Sequence, residues 1–259
     1  MRRTHLQLDD GDAGAYVLMP GDPGRCALIA ERLDGARHVA THREFTTYTG
    51  SLDGVAVSVT STGIGGPSAA IAVEELHSLG ANTVLRVGTC GSMREDIVEG
   101  DAVIALAAAR DDGASRHYLA EGMPAAAHLD VVLALREAAL ALHARHSVGV
   151  VVSTDSFYAQ RDPETMPIGD ELVHRWQAWQ RSGCVAAEME TATLLSVATV
   201  RGMRAGSVLA VIDRIAPVLT PMPPPDRLPL QATIDVAVDA MRRLIAADTF
   251  QRLAATTGS

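Results

Sequence analysis

Lysine is absent: all 22 basic residues of the 259-residue chain are arginine. This excludes a P-loop lysine, a Schiff-base lysine and the strand lysine of a protein kinase together. Any phosphate the protein holds must be held by arginine forks, backbone amides and hydroxyls. Long apolar runs are missing as well. None approaches the ~18 residues that a membrane helix needs, so no membrane partner is expected. Cysteine is scarce: Cys26, Cys90 and Cys184 are widely spaced in apolar surroundings. They read as three reduced, buried thiols of a cytoplasmic protein. A net charge of −9 leaves no basic footprint for nucleic acid. The amino-terminal MRRTHLQLDDGD turns acidic where a secretory signal turns apolar.

The chain is 47% hydrophobic, enough for a substantial core, and shows neither a repeat nor a linker. One domain over 1–259 is expected. Strands are predicted at Tyr16–Met19, His38–Phe45, Val55–Ser61, Thr83–Gly88, Ala102–Ala109, Val148–Ser153 and Ala205–Ile212. Tyr48–Gly54 is predicted to turn between two of them. Helices are predicted at Arg25–Leu33, Pro67–Leu79, Leu129–Ala144, Thr191–Arg201 and Leu230–Ile245. The insert Asp162–Gly183 is a polar region carrying Trp176 and Trp179, and APVLTPMPPPDRLP is a loop. This alternation predicts an α/β fold with a mixed, mostly parallel central sheet flanked by helices. Ligands of such sheets bind at the carboxyl edges of the strands.

Five stretches at such edges carry chemistry. In LRVGTCGSM, Arg86 stands inside an apolar strand, where an unpaired charge costs several kcal/mol. An anion must meet it, either a protein carboxylate or a ligand. Gly88 and the residues after it let backbone amides approach that anion. PGDPGR offers Gly21 and the fork of Arg25, or is a plain proline-glycine turn. STGIGG lacks dinucleotide-binding spacing and reads as a structural turn. VAAEMET sets Glu188 and Glu190 around Met189. Paired carboxylates can accept vicinal hydroxyls, or simply favour a helix start. AVIDRI ends in Asp213, a general-acid candidate or an ion-pair partner.

Together, PGDPGR, HREFTTYTG, STGIGGPS, LRVGTCG, DSFY and EMETAT resemble the hexameric nucleoside phosphorylases, from about His5 to Leu244. That family includes the uridine phosphorylases and the bacterial-type purine nucleoside phosphorylases. The resemblance implies that a nucleoside is cleaved by inorganic phosphate to a free base and ribose 1-phosphate, with no cofactor required. It implies a phosphate site at Gly21, Arg25, Arg86 and Thr89, with Arg43 reaching in from a neighbouring subunit. His5 crosses the same boundary to the ribose 5′-hydroxyl. The ribose rests on Met189 with its hydroxyls on Glu190, assisted by Glu188, and Phe157 faces the base or sugar.

By the same resemblance, a potassium ion can sit between paired subunits at Glu44, Ile64 and Ser68, and the assembly is a homohexamer, a trimer of dimers. Base identity stays open. Uridine phosphorylases read uracil with a glutamine and an arginine, and FYAQRD supplies Gln160 and Arg161, adjacent and shifted. Purine relatives use an aspartic acid at the position of Asp213 to protonate N7, and Arg227 could reach it. Acting as that acid requires a carboxyl that holds its proton near neutrality. The overall likeness leans towards uridine, with purine as the alternative. A hydrolytic nucleosidase of the same fold and a non-catalytic nucleoside-binding protein are further alternatives.

Overall fold

The apolar run around Arg86 forms β5 (Thr83–Ser92), buried along nearly its whole length and hydrogen-bonded to three other strands. In the computed structural model, which describes residues 1–214 and 229–257, β5 lies parallel to β1 (Tyr16–Pro20) and to β10 (Arg204–Arg214). Its end pairs antiparallel with β9 (Ala186–Glu188). β10 continues antiparallel into β6 (Ala102–Asp111), which is parallel to β8 (His146–Thr154), which is parallel to β9. These five strands therefore close on themselves. From β1 an open wing continues through β4 (Val55–Thr60), β3 (Phe45–Leu52) and β2 (Asp34–His42), while the short β7 (Ala125–Ala126) edges β6. The architecture is the mixed α/β sheet that the alternation predicts.

Helices cover both faces. One core joins α1 (Gly24–Ala30), α3 (Leu129–Ala141) and α7 (Gln231–Thr257) to the sheet through Ile29, Leu135, Met241 and Leu244. The other packs α2 (Gly66–Ser78) and α6 (Thr191–Val200) through Val73, Leu76, Leu194 and Val197. Two short elements finish the frame: α4 (Phe157–Arg161) and α5 (Gly169–Arg181).

Four predicted elements differ. The strand predicted at His38–Phe45 is broken by a turn at Arg43–Glu44, where β2 gives way to β3. Tyr48–Gly54 is largely strand: β3 pairs with β2 and β4 from Phe45 to Leu52, and only Asp53–Gly54 turn. Thr46, Thr47, Tyr48 and Thr49 are strong strand formers, and they outweigh Gly50. The insert after Asp162 holds α5, whose Trp176 and Trp179 lie against Val152 and Cys184. The last helix runs on to Thr257. Arg227 and most of the proline-rich stretch lie outside the described residues. All three cysteines are free and buried, and among the described residues no helix is long and apolar enough to cross a membrane.

The far end of α7 is tied to the sheet by Asp248. Its carboxylate accepts from Tyr16 Oη at 2.6 Å and from Arg204 Nη1 at 2.8 Å. Burial alone would raise this carboxyl, but the bonds from Arg204 and Tyr16 outweigh it and hold it below the ordinary 3.8. A depressed acid contributes stability that is present above its unfolded value and is lost as pH falls through the folded one. Asp248→Ala should cost about 1–3 kcal/mol at neutral pH, roughly 2–10 °C in thermal midpoint. The gap to the parent should narrow in acid. Equal midpoints at neutrality would show that the tie carries no stability.

Candidate active site

Arg86 is 3% exposed and meets two carboxylates. Its Nε donates to Glu188 Oε2 at 3.0 Å, and its Nη2 pairs with Glu190. The sequence left open whether protein or ligand supplies the anion, and protein supplies part of it. Nη1 remains: it is buried and has no acceptor among the described residues. A Cβ built on Gly21 would stand 3.8 Å from that nitrogen, so the free edge of the guanidinium faces the β1–α1 turn. Gly88 lets the side chain fold back over its own strand, since a Cβ there would lie 2.8 Å from Arg86 Cζ.

The neighbours of this ion pair come from four strand ends. Glu188 closes β9, and both its oxygens are used. Oε1 accepts from Ser153 Oγ at the end of β8, and the amides of Glu190 and Thr191 donate to the carboxylate at 2.9–3.0 Å. Ser153 Oγ in turn accepts from the Ala192 amide at 2.8 Å. Glu188 therefore fixes the strand-to-helix corner and the plane of Arg86. Glu190, at the start of α6, accepts from the Gly65 amide at 2.6 Å. STGIGG is thus more than the structural turn its sequence suggested. Burial first, and then the charge of Glu188, push the Glu190 carboxyl up, against the pull of Arg86 and the Gly65 amide. Met189 lies half-buried between the two glutamates.

Arg25 projects from α1 and is held only loosely by Asp22, with Nε 3.7 Å from Oδ2. Burial and the nearby charge of Arg86 act against its own charge, with Asp22 opposing them. An anion between Arg25 and Arg86 relieves both. Thr89 is half-buried three residues beyond Arg86 on β5. Arg43 stands exposed at the β2–β3 turn with φ +54°, next to Glu44. His5 is anchored through Nδ1 to Glu75 Oε1 at 2.7 Å.

A second ion pair lies at the ends of β10 and α4, where Arg161 Nη1 meets Asp213 Oδ2. The Arg161 guanidinium also sits 5.3 Å from the centre of the Phe157 ring. Gln160 Nε2 reaches Thr154 Oγ1. In the remaining predicted group, Ser68 Oγ donates to Glu44 Oε1 at 2.8 Å and reaches the Thr62 carbonyl at 2.6 Å, while Ile64 is 79% exposed. No cluster of three or more metal-binding side chains exists among the described residues. Sequence reasoning missed Ser153 and Gly65. Ser153 could have been found by the strand-end rule that singled out Arg86, whereas an amide donor leaves no side chain to read.

Comparison with known proteins meets this geometry. The family model described as the Phosphorylase superfamily matches residues 15–247. A uridine phosphorylase of Treponema pallidum is 44% identical over 248 residues, covering 95% of each chain. A uridine phosphorylase of Thermococcus kodakarensis is 46% identical over 209 residues, covering 80% of this chain and 76% of its own. A guanosine phosphorylase of Halorubrum lacusprofundi is 39% identical over 210 residues, covering 81% and 83%. Matched over its residues 15–247, the chain belongs to the phosphorylase superfamily.

Proposed function

We propose that the protein is a nucleoside phosphorylase, a pentosyltransferase that cleaves uridine with inorganic phosphate. The observation that carries this is Arg86 Nη1, a buried charged donor facing Gly21 with no acceptor among the described residues. Leaving such a donor unmet costs about 1–3 kcal/mol or more, and a phosphate oxygen meets it. The names of the relatives support uridine, and the guanosine phosphorylase among them keeps a purine activity in view. As the co-substrate, phosphate lies between Arg86 and Arg25 against Gly21 and Thr89, and no cofactor takes part. Ribose rests on Met189 with its vicinal hydroxyls on Glu190. Glu188, with its oxygens already used, holds Arg86 and the corner rather than the sugar.

The step balances without further reagents. A phosphate oxygen bonds to the anomeric carbon as the bond from that carbon to uracil N1 breaks, with its electron pair staying on the base. The proton of hydrogen phosphate ends on uracil through solvent. Positive charge on the ribose ring in the transition state is offset by the fixed dianion, so positioning and electrostatics supply the rate. Arg161 lies on Phe157, where it can stabilise the electrons gained by the base.

Arg43 and His5 serve the site of a neighbouring subunit, in a homohexamer built as a trimer of dimers. The exposure of Arg43 at the β2–β3 turn supports this, and His5 is only half-buried. Potassium is part of the proposal only for paired subunits, because one chain offers a single carboxylate, Glu44, beside Ser68 and the backbone near Ile64. The whole chain, 1–259, forms one cytoplasmic domain.

Uridine turnover should require phosphate and release ribose 1-phosphate. Equal turnover in phosphate-free buffer would make the enzyme a hydrolase instead. Arg25→Ala should raise the KM for phosphate at least tenfold, about 1.4 kcal/mol, with little change in thermal midpoint. An unaltered phosphate KM would remove Arg25 from the anion site. Glu190 must be ionised to accept two hydroxyls, so activity rises with pH through its raised value. The acid limb of kcat/KM, at constant phosphate dianion, should lie above 4.5. It should vanish in Glu190→Gln. A limb at or below the ordinary glutamate value, or one that survives the substitution, would contradict the role.

A further inference from the structure

We infer that Arg161 and Asp213 read the base together as a donor–acceptor pair. The site then takes lactam bases as a class, 6-oxopurines as well as uracil, and turns away amino bases. This rests on the phosphorylase reading and deepens it.

The pair is built and largely dry: the Arg161 and Asp213 side chains are 13% and 4% exposed. Asp213 stands opposite Gly91 of β5, just past a register shift after Val211. Such irregularities re-aim side chains beside active sites. Burial first, and then the charges of Glu188 and Asp213, push the Cys90 thiol up. Both carboxylates therefore flank one residue of β5, four positions beyond Arg86. The pair lies at the same sheet edge as the proposed phosphate and ribose groups, and Phe157 lies against it.

The chemistry of the two groups is fixed. A guanidinium only donates, through five N–H groups, and an ionised carboxylate only accepts. Arg161 Nη1 engages Asp213 Oδ2, which leaves Oδ1 to accept. Set side by side, they match a carbonyl next to a ring N–H. Uracil shows that pattern at O4 and N3, and hypoxanthine and guanine show it at O6 and N1. Cytosine and adenine show the reverse, an amino group next to a bare ring nitrogen. Against them Arg161 meets a donor and Asp213 meets a lone pair.

This assigns Asp213 a different part from the N7 acid that the sequence allowed. Its Oδ2 is engaged by Arg161, which places the carboxylate as an acceptor at that edge. It holds the arginine and accepts the lactam N–H, while Arg161 takes up charge on the departing oxo base. For a 6-oxopurine the phosphate oxygen bonds to the anomeric carbon, and the electron pair of the broken bond stays on N9. The proton of hydrogen phosphate reaches the purine through water.

The test is kcat/KM for uridine, inosine, cytidine and adenosine at saturating phosphate. The parent enzyme should cleave inosine within about 100-fold of uridine. It should favour each oxo base over its amino counterpart by roughly 10³-fold or more, the discrimination that buried hydrogen-bonding groups give. Asp213→Asn should lower uridine and inosine together by about 10–100-fold, the loss of a charged hydrogen bond. Amino-base turnover should hold or rise, so the oxo-to-amino ratio collapses. Arg161→Gln, at the end of the short α4, should collapse the same ratio. The pair is overturned if the parent leaves inosine uncleaved while cleaving uridine. It is overturned equally if Asp213→Asn spares uridine and abolishes inosine cleavage, or if both variants keep the ratio. Absence of any phosphate-dependent cleavage removes the phosphorylase reading and this inference with it.

Discussion

A guanidinium sealed inside the sheet organises this molecule. Arg86 is essentially inaccessible, and a lone charge in that position would cost more than most of a domain's net stability. Glu188 and Glu190 make it tolerable, and each is itself buried. Removing Arg86 would leave the two carboxylates buried without a counter-charge, which costs about 3–5 kcal/mol. The cluster is therefore structural and chemical at once. Two of the arginine's nitrogens hold the fold together, and the third faces Gly21.

The strand pattern explains how so many distant residues converge there. β5 shares hydrogen bonds with β1, β10 and β9, so the turns after these strands lie around its end. Each contributes one element: the Gly21 turn after β1, Asp213 on β10, and the glutamates at and beyond the end of β9. β8 adds Ser153 beneath Glu188. Glu188 is the quiet centre of this arrangement. By accepting from Arg86, Ser153 and two backbone amides, it sets the corner from which α6 departs and so fixes where Glu190 points. The raised Glu190 carboxyl follows first from its burial and then from sitting beside Glu188.

Much of the frame and part of the site were legible in the residues. A charge within LRV and two glutamates around one methionine are conflicts with their apolar surroundings, and each conflict marked a real feature. What escaped notice has physical reasons. Gly65 acts through an amide, and Ser153 through a hydroxyl common at any strand end. Gly50 disguised β3 as a turn, although the threonines around it carry the strand. In α5, the prolines and glycine before it hid a helix whose apolar residues fall at Leu172, Trp176 and Trp179, spaced four and three apart. The role of Arg86 was half legible: the need for an anion was plain, but its division between protein and ligand depends on which nitrogens the carboxylates reach.

The base end of the site shows a different limit. A carboxylate at the end of β10 suits a proton donor and an ion-pair anchor equally well, because both roles ask for the same residue at the same place. Only the position of Arg161 separates them. A helix of five residues carries that arginine, and in sequence it looks like a displaced copy of a uracil clamp. In space the displacement matters less than the partner. Asp213 fixes the guanidinium from one side and Phe157 lies against it, so the charge is held at the end of β10 although the spacing has changed. Specificity in such a site belongs to the pair, since each member alone matches half of a hydrogen-bonding edge that several bases share.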